Sequence, residues 1–315
     1  MSEVFEVGFI VSLIGATLRV ATPLVYATIG ELFTERSGVL NLGIEGIMFL
    51  GGFTGFAVAF GASEAGIEEY LWVGLLAAMA AGVTMGLLMA FLSVTLGVNQ
   101  HVSGLGITLL SIGLSLFGNR MVFGQRQVLP TVEPFSQLSP ARAIESIEPI
   151  FQQYALTYIA FLVLIPLSWW ILFRTTFGLQ LRAVGENPEA ADAAGVSVFR
   201  TRYIALSAGG ALMAAGGAFL SLAQLGAFSP GIIAGRGWVS IALVIFARWH
   251  PVRAMWGALL FGGVFALQLR LQTIGFDLPF ELFLALPYLV TIAALAIAGR
   301  NANYPGAYLK PYKRE

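Results

Sequence analysis

The chain has 315 residues, of which 57% are hydrophobic and 11% charged, and its seventeen basic and seventeen acidic side chains give a net charge of zero. An ordinary soluble domain carries about 25% charged residues, so this chain has too little polar surface for water, and the composition predicts a membrane protein. The absence of cysteine excludes disulfides and thiolate chemistry, the separation of His101 from His250 argues against a metal site, and the zero net charge argues against a nucleic-acid partner.

Apolar runs along the chain predict about nine membrane-spanning helices, within a range of roughly eight to ten, since each run approaches the length that crosses about 30 Å of hydrocarbon. In chain order they fall at residues 7–30, 39–60, 70–96, 102–118, 153–173, 203–223, 237–249, 254–274 and 282–299. The run at 237–249 is short for a span, and a start near Ile232 would lengthen it. The predicted fold class is an all-α polytopic membrane protein with one transmembrane domain over residues 1–315.

The distribution of arginine and lysine predicts the orientation, because these residues accumulate in cytoplasmic loops. We place residues 174–202 in the cytoplasm and let the nine helices alternate. The cytoplasmic side then receives Arg36, Arg174, Arg182, Arg200, Arg202, Arg248, Arg253, Arg300, Lys310, Lys313 and Arg314. The outer side receives only Arg120, Arg126, Arg142 and Arg236. This bias predicts a cytoplasmic C-terminus and an extracytoplasmic N-terminus. The proline-rich stretch 119–152 becomes a structured extracytoplasmic loop, either a landing surface for an external partner or a connector.

The middle of the chain concentrates charge in "FRTTFGLQLRAVGENPEAADAAGVSVFRTRY", residues 173–203. Asn187 is a good N-cap, Pro188 fits the first helical position, Glu189 complements the positive helix end, and Gly195 is a natural stop. The pattern predicts a cytoplasmic helix of about two turns with alanine on its faces, and a helix this short is marginal alone in water. It is therefore either a solvated connector or a docking helix for a cytoplasmic partner.

Two glycine-rich stretches predict broken membrane helices, where unwound backbone offers free N–H and C=O groups to a substrate. They read "SGVLNLGIEGIMFLGG" at 37–52 and "LAQLGAFSPGIIAGRG" at 222–237. A neutral polar substrate with hydroxyl groups would suit a route of amides and aromatic rings. The candidates for a translocation pathway are Arg19, Asn41, Glu45, Asn99, Gln100, Gln224 and Phe228.

Arg19 and Glu45 are the ionisable residues that we expect deepest in the membrane. A charge near mid-bilayer is costly and usually faces a partner or a water-filled cavity, so one hypothesis is an Arg19–Glu45 pair inside the bundle. A structural pair without substrate contact is the commoner role, and Glu45 would simply be hydrated if it lay at the cytoplasmic end. Asn99 and Gln100 suit a pathway and a helix cap equally well.

Four stretches resemble the permease subunits of ABC importers for simple sugars, nucleosides and branched-chain amino acids, and above all purine-nucleoside permeases. They are "GELFTERSGVLNLGIEGIMFLGGFTG" (30–55), "GLQLRAVGENPEAADAAGVSVFRTRYIALSAGGALMAAGGAFL" (178–220), "GRGWVSIALVIFARWHPVRAMWGALLFGGVFALQLRLQ" (235–272) and "LPYLVTIAALAIAGR" (286–300). The resemblance implies that residues 183–195 dock into an ATPase subunit. The residues expected to couple transport to the ATPase are Arg182, Glu186, Asn187, Pro188, Glu189, Ala190, Ala191, Ala194 and Gly195.

The resemblance also implies a set of partners in a bacterial plasma membrane. A second permease chain, expected to form a heterodimer, would sit with this one over two ABC ATPase subunits, and an external binding lipoprotein would deliver substrate. ATP and Mg²⁺ would bind to the ATPase, so no cofactor and no enzymatic activity are expected on this chain. Its only lysines, Lys310 and Lys313, lie outside any Gly-Lys-Ser/Thr phosphate-binding loop, which agrees with that division of labour.

The sequence favours three other functions less. Simple sugars such as ribose are the second choice of substrate, ahead of branched-chain amino acids. An ion-coupled secondary transporter would need membrane-embedded acids, and few are apparent besides Glu45. A channel or a structural membrane subunit is a further alternative, but it would not require the broken helices or the capped cytoplasmic helix.

Overall fold

The computed structural model describes residues 7–124, 129–140, 144, 147–274, 285–287, 289–290, 292–293, 296 and 304–312. The helices of the first half are α1 (Val7–Arg36), α2 (Ile44–Glu64), α3 (Tyr70–Ala90), α4 (Gln100–Phe123), α5 (Glu148–Phe151), α6 (Ala155–Tyr158) and α7 (Ile165–Arg174). Those of the second half are α8 (Thr176–Glu186), α9 (Pro188–Ala193), α10 (Val198–Phe219), α11 (Arg236–Ala247) and α12 (Pro251–Ile274). Wider π-helical turns extend α3 through Phe91–Thr95, join α6 to α7 through Ile159–Leu164, and extend α10 through Leu220–Leu225.

Seven helices of the described chain are long and apolar enough to cross a membrane, so the all-α polytopic fold class is confirmed. They are Gly8–Arg36, Ile44–Glu64, Tyr70–Thr95, Gln100–Phe123, Ala155–Arg174, Val198–Leu225 and Pro251–Gln272. Each coincides with one of the nine predicted runs. The predicted ninth run, 282–299, falls largely outside the described residues.

The predicted span at 237–249 is a half-length helix. Helix α11 has 12 residues, so it is about 18 Å long, which is too short to cross about 30 Å of hydrocarbon alone. An earlier start near Ile232 is wrong, because Ala234 and Gly235 have φ values of +49° and +78° and interrupt the helix. The segment before α11 therefore runs as irregular backbone.

Helix α10 forms the centre of the bundle and packs against α1, α2 and α3. Its sequence "AGGALMAAGGAF" puts small residues on every face, which lets neighbouring backbones approach closely. A Cβ added at Gly217 would overlap the Met48 carbonyl of α2, and one added at Gly82 of α3 would overlap the Gly210 carbonyl. Backbone contact with two helices therefore replaces side-chain packing at these crossings.

The bundle has two ends, which we name by their contents. The tail end holds the loop 37–43, the turn 97–99, the segment 175–197, the turn 248–250 and the C-terminal tail 304–312, joined by bonds such as Leu40 N to Gln100 Oε1, Arg36 to the Trp249 carbonyl and Ala307 N to the Gly185 carbonyl. The start of α1 lies at the opposite end, where Gly15 contacts Pro149. The N-terminal helix therefore begins at the end opposite to the tail.

The opposite end, which we call the ribbon end, is closed by part of the long loop 119–152. Strand β1 (Gln137–Leu138) pairs antiparallel with strand β2 (Gln153–Tyr154). The amides of Val132 and Phe135 donate to the carbonyls of Gly226 and Leu222 at the end of α10, over 2.8 and 3.0 Å. The first residues of the predicted loop, 119–123, are the last turn of α4. The loop thus ties the end of α10 to the base of α6.

We predict that Gly217→Ala lowers the free energy of unfolding by about 1–3 kcal/mol, because the new methyl group forces α10 away from α2. Thermal unfolding of the purified protein in detergent measures the change. Gly113→Ala is the matched control, since Gly113 lies in α4 with no neighbour within 4 Å of an added Cβ. Equal melting temperatures for the two variants would contradict the close-packing argument.

Candidate functional site

The charged middle segment contains a short helix with its own start and stop. The side chain of Asn187 accepts a hydrogen bond from the Ala190 amide at 3.0 Å, and Pro188 occupies the first position of α9. Gly195 follows the helix with a φ of +84°. The predicted N-cap, first-turn proline and glycine stop are observed, because each satisfies or removes an end group of the helix.

The alanine surface of α9 is only partly open. Ala190 and Ala194 are exposed, whereas Ala191 is 5% exposed and packs with Val184 of α8 and Val198 of α10. Ala191, one of the coupling candidates, therefore does not present an open face, since its side chain is buried inside the protein. Of the other coupling candidates, the exposed ones are Glu186, Asn187, Glu189 and Gly195, and the partly buried ones are Arg182 and Pro188.

An apolar groove of about 620 Å³ lies between α8 and α9. Leu179, which is 61% exposed, forms part of its wall. The other lining residues are Thr176, Gln180, Ala183, Glu186, Asn187, Ala190, Ala191, Ala194 and Val196. Exposed apolar concavities with polar rims are typical of protein–protein contact sites. The groove is therefore the part of the segment best shaped to receive a partner's side chain.

The segment rests directly on the end of α1. A side chain at Gly185 would overlap the Arg36 carbonyl, so α8 and α1 meet through their backbones. The Arg36 guanidinium donates two hydrogen bonds to the Trp249 carbonyl in the turn between α11 and α12. In the same turn, burial and the charges of Arg253 and Arg36 lower the pKa of His250, which keeps its imidazole neutral at physiological pH. The end of α1 therefore contacts both α8 and the turn between α11 and α12.

The two predicted broken segments meet at Glu45. Its carboxylate accepts hydrogen bonds from the amides of Gly235, at 2.9 Å, and Gly237, at 2.7 Å, at the start of α11. The neighbouring Arg236 guanidinium donates to the carbonyls of Ile232 and Ile233 in the irregular segment. One acid and one base therefore satisfy the amides and carbonyls that the helix break leaves free.

Glu45 and Arg19 do not form the hypothesised pair. The Arg19 guanidinium donates to the Gln152 carbonyl at 2.9 Å, and its own carbonyl accepts from the Gln224 side chain at 3.2 Å, both at the ribbon end. Glu45 is half-buried and bonded to the α11 backbone, so it is not simply hydrated either. Arg236, counted as an outer-loop residue in the orientation argument, belongs to the junction with Glu45.

The other pathway candidates serve the local structure around the first break. Asn41 is fully buried, and its side-chain oxygen accepts from the Gly43 amide. The Gln100 side chain is 4% exposed and accepts from the Leu40 amide at 2.9 Å. Asn99 accepts from the amides of the first turn of α4 and is therefore a helix cap. These side chains hold the buried loop 37–43 in shape.

Phe228 lies in the second broken segment and is 1% exposed. Its ring makes edge contacts with Phe49 and Phe53 of α2, at centroid distances of 5.1 and 5.5 Å. The ring therefore anchors the irregular backbone to α2 instead of lining an open route.

The sequence reasoning missed three ionisable residues, Glu31, Glu35 and Arg202, each 0% exposed. Glu31 accepts from the Asn41 amide at 2.9 Å, and Glu35 accepts from the Trp249 indole at 2.7 Å. A signal was present, because acids four residues apart in an otherwise apolar run lie on one helix face. Glu31 thus links α1 to the loop 37–43, and Glu35 links it to the turn after α11.

The fold is an all-α polytopic membrane bundle, in which the start of α2 and the irregular segment before α11 meet at Glu45. The family model described as "Branched-chain amino acid transport system / permease component" matches residues 13–295. The chain belongs to this family of ABC-transporter permeases, and it is a transporter component. No solved structure matches the chain.

Several relatives are similar over nearly the whole chain. The chain is 38% identical to the putative glucose ABC transporter permease protein TsgC13 of Haloferax volcanii, over 98% of this chain and 99% of the relative. It is 36% identical to the guanosine ABC transporter permease protein NupQ of Bacillus subtilis, over 95% and 96%, and 34% identical to the nucleoside permease protein NupC of Lactococcus lactis, over 91% and 92%. A second guanosine permease protein of B. subtilis, NupP, is 26% identical over 80% of this chain and 72% of its own length.

We predict that Glu45→Ala lowers the free energy of unfolding by about 1–3 kcal/mol, because the amides of Gly235 and Gly237 lose their acceptor inside the bundle. Thermal unfolding in detergent, followed by α-helical circular dichroism, provides the measurement. Glu64→Ala removes an exposed acid from the other end of the same helix and should leave the melting temperature within error. A Glu45→Ala protein as stable as the Glu64→Ala control would show that the carboxylate does not stabilise the junction.

Proposed function

We propose that this chain is the permease of an ATP-driven importer for nucleosides, with purine nucleosides as the preferred class. The observation that carries the proposal is the similarity, over more than nine-tenths of the chain, to a guanosine and a nucleoside permease protein. Simple sugars are the second candidate, because the putative glucose permease protein TsgC13 is similar over the same length. A nucleoside contains a sugar ring, so one route that accepts hydroxyl groups would accommodate either class.

The proposed translocation route passes the junction of the two broken segments. Glu45 is half-buried there, and Trp238, which follows the bonded glycines, is 41% exposed. An acceptor already occupied by backbone amides and an aromatic ring suit a neutral substrate with hydroxyl groups and a flat base better than an ion. Asn41, Gln100 and Phe228 would shape this route from behind, as residues that hold its walls.

The proposed partners follow from the family and from the shape of the tail end. A separate ABC ATPase, carrying ATP and Mg²⁺, would engage α8 and α9, which places the tail end in the cytoplasm and the ribbon end outside. An external binding lipoprotein would deliver substrate at the ribbon end. A second, different permease chain is supported by the two guanosine permease proteins of B. subtilis, NupQ and NupP. The expected location is a bacterial plasma membrane.

The test is uptake by liposomes that contain this chain with its companion permease, ATPase and binding protein. Radiolabelled guanosine, adenosine, ribose, glucose and leucine are offered in turn, with and without ATP. The proposal expects ATP-dependent uptake of nucleosides that excess guanosine competes away and a protonophore leaves intact. Uptake of glucose or ribose alone would replace the nucleoside assignment with the sugar one.

We predict that Ala194→Arg abolishes ATP-driven uptake, or reduces it at least tenfold, because the long charged side chain fills the groove between α8 and α9 at a cost of about 1.4 kcal/mol or more. Ser63→Arg, at an exposed position of the opposite end, is the matched control and should transport normally. Ala191→Arg is a poor choice here, since the buried site would disrupt the segment itself. Wild-type uptake by Ala194→Arg would refute docking at this groove.

A further inference from the structure

The C-terminal tail crosses the tail end of the bundle and makes hydrogen bonds to Gly185, Glu186 and Asp192 of the charged middle segment. The Ala307 amide donates to the Gly185 carbonyl at 2.9 Å. The Gly306 amide donates to the Glu186 carboxylate at 3.1 Å. Residues 304–312 therefore run along the junction between α8 and α9, although more than a hundred residues separate them in sequence.

Tyr312, the last described residue of the tail, contacts α9 directly. The Tyr312 hydroxyl donates to the Asp192 carboxylate at 2.9 Å. Its ring is 9% exposed and packs with Val184, Ala191 and Val198, the same cluster that buries the inner face of α9. Both the polar and the apolar part of this tyrosine are thus used to hold a helix of six residues.

The other part of the tail is anchored to the core of the bundle. The Leu309 amide donates to the Gly38 carbonyl, at the start of the buried loop 37–43. The rings of Tyr304 and Tyr308 contact Trp249, with centroids 5.0 and 6.3 Å away. Burial, together with nearby carboxyl groups, raises the pKa of Tyr308, which keeps this phenol neutral. The same tail therefore holds both α9 and the ends of α1 and α11.

A helix as short as α9 has little stability of its own and moves as a rigid lever only if its surroundings hold it. The chain leads from α9 into α8 and α10, and the tail adds a third attachment that reaches the loop 37–43 and the α11–α12 turn. Those two places adjoin the broken segments that meet at Glu45. A push on α9 would otherwise be absorbed by bending at Asn187 and Gly195.

We propose that residues 304–312 form a strap that transmits movement of α9 to the broken helices, and that Tyr312 and Asp192 are positioning residues for this step. The strap rests on the proposed function insofar as an ATPase supplies the push, but it does not depend on which substrate is imported. Without the strap, ATP hydrolysis continues while fewer substrate molecules cross for each ATP consumed.

The experiment measures the ratio of substrate imported to ATP hydrolysed in liposomes that contain the complete transporter. The substrate is whichever one the wild-type complex imports. The variants are Tyr312→Phe, which keeps the ring and removes the hydroxyl, Asp192→Ala, and the double variant. Each single variant should lower the ratio by about 3- to 10-fold, the range expected for one hydrogen bond. The double variant should be no worse than either single variant, because both remove the same bond.

Two truncations separate the strap from the rest of the terminus. A chain that ends at Tyr312 loses only residues 313–315 and should keep the wild-type ratio. A chain that ends at residue 303 loses the strap and should show the largest loss, with the ATPase still co-purifying. If this shorter chain fails to fold, the Tyr312→Phe result decides alone.

Three outcomes overturn the strap. An unchanged import ratio in Tyr312→Phe and Asp192→Ala would show that their bond transmits nothing. Strictly additive losses in the double variant would mean that the two side chains act separately. Loss of ATPase co-purification in Tyr312→Phe would make the tail part of the docking surface instead. Failure of the wild-type complex to import any substrate with ATP would count against the proposed function, and it is visible before any variant is made.

Discussion

Broken helices inside a bilayer require that every freed backbone group finds a partner, because no water is available to it. In this protein ionisable side chains meet that requirement. Acids accept from backbone amides, as Glu45 does at Gly235 and Glu31 at Asn41. Arginines donate to carbonyls, as Arg202 does at Ser37. Several of the buried or half-buried charges therefore bond to the protein's own backbone near a point where a helix stops or restarts.

This use of charge explains a feature of the composition. Arginine supplies nearly all of the basic residues, and its guanidinium presents several N–H donors in one fixed plane, whereas a lysine ammonium is a compact point charge. Arg236 spans the carbonyls of Ile232 and Ile233, and Arg36 places two nitrogens on the Trp249 carbonyl. The guanidinium groups thus bond to irregular backbone on both sides of α11. Small residues in α10 have a complementary role, since they let the neighbouring helices α1, α2 and α3 lie close to its axis.

Elements that depend on local chemistry can be predicted from the sequence. Contacts between segments that are distant in the chain cannot. A short helix at α9 was predictable from Asn187, Pro188 and Gly195, and the irregular backbone before α11 was predictable from its glycines. The predicted break at 37–52 is instead the loop 37–43 between α1 and α2, followed by a continuous α2. The partner of Glu45 was not, because the amides of Gly235 and Gly237 carry no side-chain signal. Charge near mid-membrane suggested an ion pair between side chains, yet a helix start offers several N–H donors and outcompetes a distant guanidinium. Ala191 is buried partly by Tyr312 of the C-terminal tail. No local sequence pattern predicts that the tail folds back against α9.

The hydrogen bonds between these backbone segments and the helices also determine which parts of the bundle can move together. The loop 37–43 is bonded to α1 through Glu31, to α4 through Gln100 and to α10 through Arg202. The start of α11 is bonded to α2 through Glu45, and its end to α1 through Glu35 and Trp249. The tail end is therefore linked to the junction by a series of short hydrogen bonds, made by buried or half-buried side chains that are held at both ends. Alternating access by rigid-body rocking needs such a path, because a soft link would dissipate a movement of a few ångströms before it reached the break.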